Sequence, residues 1–298
     1  MNRCLRCYRN LELDEQDLHK ECADEALFDG VDMSKTAEEL TKITNDRVTT
    51  LPLSIFESSS MNDSSYLNEG VISDGNFLFY SEGAAVADLT MKLAQASHIV
   101  TASHSLFRLS DGSLSMAVRR IDRDSRGVPF PMESLCQISE LTFAERYEGS
   151  YAETMEMIEE YSSVNRIDII SLWECVVFAW ICGYSDFNLS QIALYEPYAG
   201  ICSLAPLRFA TSTALSDPSL LGAMALDVNG RRVGIGRVDL EAAMRSTALK
   251  NRAINLIFKK FVASRDIWLE LVDNSFLDQE QKQDYKKILI NQLKSLEL

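Results

Sequence analysis

The sequence predicts an α+β chain in which a small β-rich lobe is followed by a larger, mostly helical one. Strand-like segments gather before residue 125, at FLFY (77–80) and on both sides of the turn Ser110-Asp111-Gly112. Helical spacing dominates afterwards, with an apolar run from Ile169 to Cys182 and a helical pattern from Leu240 almost to Leu298. With 298 residues, 46% of them apolar, the chain can bury one substantial two-lobed core.

The elements follow in order. A Cys-rich head over 1–30 precedes a helix expected from Thr36 to Ile43. The polar segment 44–75 contains SSSMNDSS, which has neither helical nor strand period and reads as a loop. After the FLFY strand comes a helix over Val86 to Ala96, then the two strands of the hairpin. Ser150 with Glu153 forms a capping-box pattern ahead of a helix to Tyr161. Asp168 is placed to cap the apolar helix, in which Trp173 and Trp180 lie seven apart and read as core. Asn229-Gly230, between ALDV and RRVGI, is a two-residue hairpin signal. The last helix puts Ile288, Leu289 and Leu293 near one face. The expected domains are therefore a Cys/His head (1–30), a small lobe (31–125) and a helical large lobe (126–298).

Composition excludes several functions. No stretch approaches the roughly 20 apolar residues of a membrane span, and MNRCLRCYRN lacks the apolar core of a signal peptide. A cytoplasmic protein without membrane contact is expected. The 44 acidic against 29 basic residues give a net charge of −15, which repels nucleic acid. Arg119, Arg120, Arg123 and Arg126 leave room for a local basic patch, or with Asp122 for an ion-pair network holding the lobes.

Cys4, Cys7, His19 and Cys22 have the spacing C-x2-C-x11-H-x2-C, two close pairs joined by a short loop. That pattern suits tetrahedral zinc, and four protein ligands would close the site, making it structural. The competing reading is a set of reduced thiols near a flexible terminus. Cys136, Cys175, Cys182 and Cys202 read as small buried apolar residues. His98 and His104 stand in apolar sequence without cysteine or acidic neighbours and read as core or surface residues.

Residues 183–194, GYSDFNLSQIAL, resemble the catalytic loop of the HipA family of bacterial serine/threonine kinase toxins, roughly GNxDMHxKN before a short strand. Gly183, Asp186 and Leu189 fall in place, whereas Tyr184, Asn188, Ser190 and Gln191 replace the family's asparagine, histidine, lysine and metal-binding asparagine. The resemblance covers most of the chain. It takes in ADLTMKLA (87–94), SLFRLSDGSLSMAVRRIDRDSRG (105–127), MESLCQISELTFAERYEGSYAETMEMI (132–158), SLAPLRFATSTAL (203–215) and ALDVNGRR (225–232), in the family's order. It implies a two-lobed protein-kinase-like HipA fold, and some family members carry a similar Cys/His head.

Residue by residue, the resemblance implies a degenerate site. The base is Asp186, which an aspartate's habit of bonding its own turn would equally retain. The phosphate-clamping lysine falls on Tyr80, its partner glutamate on Ala87, and the magnesium-binding aspartate on Phe209, beside Arg208. Gln191 keeps an amide oxygen, but magnesium tolerates poor geometry badly. The nucleotide loop aligns with TTLPLSI (49–55), placing Thr50, Pro52 and Ser54 at its glycine, glutamine and lysine. Useful binding of magnesium–ATP is not expected. The implied function is that of a pseudokinase acting by protein contact. The chain reads as beginning after the family's N-terminal subdomain. Its implied partners are a small helix-turn-helix antitoxin, a separate protein carrying that subdomain, or an active HipA-like kinase. The alternative is an active serine/threonine kinase using Asp186 with displaced metal ligands such as Gln191 or Asp217.

Overall fold

The computed structural model describes residues 3–12, 17–19, 21–22, 50–51, 71–74, 77–80, 82–109, 112–124, 128–247 and 249–296. The helix expected at 36–43, most of the 44–75 loop, Pro52, Ser54, Ser110, Asp111 and Arg126 lie outside the described residues. The chain forms two compact units. One comprises Met1–Leu89, Ala102–Pro129 and Asn274–Phe276, the other Thr90–Thr101, Phe130–Asp273 and Leu277–Leu298.

The first unit is built on a five-stranded sheet. Its strands are β1 (Thr50–Leu51), β2 (Val71–Asp74), β3 (Phe77–Tyr80), β4 (His104–Leu109) and β5 (Leu114–Arg119), in the order β1-β4-β5-β3-β2. β1 runs parallel to β4, and the remaining pairs are antiparallel. The expected FLFY strand is β3, and the two halves of the expected hairpin are β4 and β5. Phe77, Leu78 and Phe79 are all buried, so β3 is a central strand covered on both faces. Helix α1 (Ala84–Ala96) starts two residues earlier than the sequence suggests, directly after Gly83. The boundary between the two units falls within it, after Leu89.

The second unit has a three-stranded antiparallel sheet of β6 (Met132–Ser134), β7 (Ala193–Tyr198) and β8 (Ile201–Leu204). Its helices are α2 (Leu135–Ile138), α3 (Tyr151–Tyr161), α4 (Asn165–Cys182), α5 (Thr213–Ser216), α6 (Arg237–Ser246), α7 (Asn251–Ala263), α8 (Arg265–Asn274) and α9 (Gln279–Leu296). Among the described residues no helix is long and apolar enough to cross a membrane.

Helix α4 organises this unit. From Leu172 to Cys182 nearly every side chain is buried, so the helix has no solvent face and needs neighbours all round. Phe178 packs against Phe261 of α7 and edge-on to Trp268 of α8. Burial leaves polar atoms that must find partners. Trp173 Nε1 donates to Thr247 Oγ1, Trp180 Nε1 donates to the Ile235 carbonyl, and Gln292 of α9 donates to the Trp180 carbonyl. Glu174, the one charge in the run, pairs with Lys260 at 2.6 Å. On α9, Ile288, Leu289 and Leu293 are buried as the sequence predicts.

Several local readings hold and others need correction. The Ser150–Glu153 capping box opens α3, which ends at Tyr161. Asn229 and Gly230 both have positive φ, 51° and 78°, and join Val228 to Arg231 by paired backbone bonds. Asp168, expected as the cap of α4, is not: the cap is Val164. Asp168 lies one turn inside, where its carboxylate accepts from Ser162 Oγ (2.6 Å) and from the Leu204 N–H (2.7 Å). A buried carboxylate gains more from two donors there than from capping a helix end. Cys202, expected to be buried, is half-exposed on β8.

Helix α4 ends at Gly183, whose φ of +71° is left-handed. A methyl group at this position would stand 2.6 Å from Ala214 Cβ. Gly183→Ala should therefore cost about 2–4 kcal/mol from backbone strain and overpacking together, measured by urea unfolding. A change below about 1 kcal/mol would show that the turn does not require glycine.

Candidate functional site

The loop after Gly183 is closed by its own hydrogen bonds. Tyr184 N–H bonds back to the Ala179 carbonyl, while Thr213 Oγ1 accepts from Ser185 N–H and donates to the Gly183 carbonyl. Asn188, 1% exposed, then ties the rest together. Its side-chain amide donates to the Asp186 carbonyl (3.1 Å) and to Asp186 Oδ1 (3.2 Å), and its Oδ1 accepts from Ser190 N–H and Oγ.

Asp186 Oδ1 also accepts a 2.6 Å bond from Tyr147 O–H. The Tyr147 oxygen accepts in turn from Arg146 Nη2 (3.0 Å), and the Arg146 guanidinium lies 4.0 Å over the Phe143 ring and 4.4 Å over that of Tyr147. A relay thus runs Arg146 to Tyr147 to Asp186. Partial burial, and then the neighbouring Asp186 carboxylate, raise the Tyr147 phenol above its ordinary value, so it stays a donor at neutral pH. Tyr147 belongs to the resembling segment 132–158 but escaped sequence reasoning. Its only signal was a polar aromatic with no assigned place in the core.

Phe209 joins a row of rings. Its centroid lies 6.5 Å from that of Tyr184, Tyr184 lies 6.1 Å from Phe187, and Phe187 lies 6.3 Å from Tyr151 in a stacked pair. Tyr151 O–H donates to the Phe187 carbonyl at 2.6 Å, holding the row to the loop. Arg208 Nη2 donates to the Ser190 carbonyl. Gln191 is half-buried in the turn before β7, its N–H on the Asn188 carbonyl. Asp217 caps a short 3-10 helix (Pro218–Leu220), accepting from Ser219 N–H (3.0 Å) and Oγ (2.6 Å). The Ser219 hydrogen bonds hold its carboxyl below the usual range.

The remaining positions belong to the first unit. Tyr80 ends β3 opposite Met116 and Val71, and its carbonyl accepts from Ser115 Oγ. Thr50 pairs with Arg108 in the β1–β4 ladder. Ala87 is buried in α1. Asp88, the next residue, is wholly buried and bonds Tyr8 O–H at 2.6 Å and His104 Nδ1 at 2.7 Å. This corrects the sequence reading of His104, which does have an acidic partner, sixteen residues away in the chain and so invisible to local pattern. Of the two readings of the arginines, Arg120 follows the ion pair with Asp122. That side chain is buried and forks onto Asp122 at 3.0 and 2.7 Å. Burial pushes the Asp122 carboxyl up, but the bonds and charge of Arg120 outweigh it and hold it below the usual range.

Cys4, Cys7, His19 and Cys22 come together, with all four donor atoms within 4.8 Å of one another. The Cys4–Cys7 turn is closed by Tyr8 N–H on the Cys4 carbonyl (2.9 Å) and Cys4 N–H on the Arg9 carbonyl (2.9 Å). His19 Nε2 lies 2.9 Å from the Asn10 carbonyl. A carbonyl only accepts, so Nε2 carries the proton and Nδ1 presents its lone pair. Nδ1 is 3.3 Å from Cys7 Sγ and 3.8 Å from Cys22 Sγ. Metal–sulfur bonds of about 2.3 Å and metal–nitrogen bonds of about 2.0 Å give tetrahedral edges of roughly 3.5–3.8 Å, so the donor set fits a metal ion. The backbone carbonyl behind the imidazole is the support that metal-binding histidines ordinarily use.

A kinase-like loop on a helical unit, preceded by a sheet unit with a Cys/His head, places the chain among kinase-fold proteins. The HipA-like C-terminal domain family matches it over residues 80–268, and the chain belongs to that family. It is similar to the HipA of the Shewanella oneidensis MR-1 toxin–antitoxin system, solved with HipB and operator DNA. That similarity has a TM-score of 0.66 and 13% identity, over 87% of this chain and 70% of that one. It is also similar to the Helicobacter pylori proinflammatory kinase CtkA, with a TM-score of 0.58 and 10% identity, over 83% of this chain and 94% of that one. None of the curated proteins matches the sequence.

The relay onto Asp186 can be measured. A double-mutant cycle of Tyr147→Phe with Asp186→Asn should give a coupling of about 1–2 kcal/mol in urea unfolding, as for a hydrogen bond to a charged group that is partly exposed. Additive effects would mean that the bond adds nothing to the loop.

Proposed function

We propose that this chain is a HipA-like pseudokinase that acts through protein contact in a toxin–antitoxin type system. The observation that carries the reading is the engagement of Asp186. A catalytic base has to accept a proton from an acceptor hydroxyl placed within about 2.6–3.2 Å of it. Here that place on Oδ1 is held by Tyr147 O–H, with Asn188 beside it.

The other positions support the same reading. Phosphoryl transfer rests on positioning and on cations that neutralise the phosphates. Phe209, at the magnesium aspartate, cannot coordinate a cation and is packed edge-on to Tyr184. Tyr80 and Ala87, at the lysine–glutamate pair, can supply neither charge. Each lost electrostatic element typically costs about 10²–10³ in rate, so little transfer would survive.

The partner, on this reading, is a small helix-turn-helix antitoxin, a protein carrying the N-terminal subdomain, or an active HipA-like kinase that this chain mimics, met in the cytoplasm. The Shewanella HipA, solved with HipB, supports a partner of this kind. The net charge of −15 argues against direct contact with nucleic acid. The alternative is a working kinase that recruits Gln191 or Asp217 for metal. It is weakened by the use of Asp217 as a helix cap.

In the head, Cys4, Cys7, His19 and Cys22 would hold one structural zinc ion. Four protein ligands leave no position for substrate, so the ion would add folding energy and not catalysis. The head (1–30), small lobe (31–125) and large lobe (126–298) are the proposed domains.

Two experiments test these readings. Calorimetric titration with magnesium–ATP should give no saturable heat at millimolar nucleotide, and labelled ATP should give no transfer that depends on Asp186. Metal-dependent binding, with label lost in Asp186→Asn, would establish the kinase alternative. Metal analysis of chain purified without added zinc should find about one ion per chain for a closed four-ligand site. Full metal content in the Cys7→Ser, Cys22→Ser double variant would refute the assignment.

A further inference from the structure

The Cys/His head and the first turns of α1 share one buried hydrogen-bond relay. Tyr8 follows Cys7 directly, is 1% exposed, and sends its hydroxyl to Asp88 Oδ2 at 2.6 Å. His104, on β4, reaches the other carboxylate oxygen at 2.7 Å. Asp88 itself is wholly buried, and such a carboxylate is costly unless its oxygens are bonded. These three residues are separated by 80 and 16 positions in sequence, so the head and the sheet unit must fold onto each other to bring them together.

The backbone at Tyr8 is held from the metal side. Its φ is +65°, a left-handed conformation that a bulky residue keeps only when its surroundings impose it. Those surroundings are the Cys4 carbonyl, which accepts the Tyr8 N–H, and Arg3, whose Nη1 donates to the Tyr8 carbonyl at 3.0 Å. Tyr8 therefore closes the turn that carries Cys4 and Cys7. An ion bound by those two thiolates would fix the turn, and through it the direction of the Tyr8 side chain.

We propose that Tyr8 is a positioning residue that transmits metal occupancy of the Cys4, Cys7, His19 and Cys22 cluster to the buried Asp88–His104 pair and so to the start of α1. The inference rests on the metal reading of the head. With metal bound, the turn aims the Tyr8 hydroxyl at Asp88. With metal removed, the turn loses its clasp, the left-handed residue relaxes, and Asp88 loses the Tyr8 hydroxyl. The affected segment is 84–89, which contains Ala87. The head is then a clip that sets the order of this helix, and not only an independent fold.

The test uses the full chain, first assayed for zinc, then compared with and without a strong zinc chelator. Two signals are read: hydrogen exchange of the 84–89 amides, and the imidazole ¹⁵N resonances of His104. Chelation should speed exchange at 84–89 by roughly tenfold, the response expected when a local opening becomes easier, and should move the His104 resonances. Tyr8→Phe keeps the ring and loses only the hydroxyl. It should retain the zinc content of the unaltered chain yet show displaced His104 resonances with metal bound, and chelation should then alter exchange at 84–89 far less. Unchanged exchange and His104 signals on chelation of the unaltered chain would overturn the proposal, whether or not the variant folds. So would a loaded Tyr8→Phe chain with the resonances of the original. A chain that takes up no zinc overturns the metal reading as well, and the initial metal analysis separates that outcome from failure of the relay alone.

Discussion

Helix α4 has no face turned to water along its second half, and the large unit follows from that constraint. An 18-residue helix with buried tryptophans, phenylalanine and aliphatic side chains on every side can exist only if other elements enclose it. α7, α8 and α9 supply that enclosure with Phe258, Phe261, Trp268, Leu289 and Leu293. Each fully buried large side chain contributes on the order of 1.5–3 kcal/mol, so the register of α4 is strongly fixed. The loop that begins at Gly183 therefore emerges from a rigid support. Rigid supports are what active sites ordinarily require.

The loop itself is held by local interactions. Where the resemblance expects a lysine, a magnesium-binding asparagine and a magnesium-binding aspartate, there are Ser190, Gln191 and Phe209. Ser190 bonds Asn188, which in turn bonds Asp186, and Phe209 closes a row of rings through Tyr184 and Phe187 to Tyr151. Local hydrogen bonds and aromatic packing fill these positions. Such contacts hold a loop in one conformation without any ligand. Asp186 bonds a phenol and an amide, both within the same unit.

Much of this was legible in the sequence because it depends on local pattern. The Ser150–Glu153 box, the Asn229-Gly230 turn, the FLFY strand and the C-x2-C…H-x2-C spacing each act over a few residues, and each appears where the sequence places it. The misreadings concern contacts between residues distant in the chain. Asp168 had the right neighbours for a cap, but β8 brought the Leu204 N–H to it. His104 looked solitary because Asp88, sixteen residues earlier, meets it only in the fold. Tyr147 carried no motif, and its meaning comes from Asp186, 39 residues later.

On the proposed function, the loop is held in a form that does not engage magnesium and nucleotide. The decisive measurement follows the backbone amide resonances of residues 183–191 in a labelled sample as magnesium and a non-hydrolysable ATP analogue are added. These resonances should stay in place up to millimolar nucleotide, because Asp186 is held by Tyr147 and Asn188 and Phe209 offers no ligand. Saturable, magnesium-dependent displacement of Asp186 and Gln191 would contradict it and make the chain a nucleotide-binding kinase.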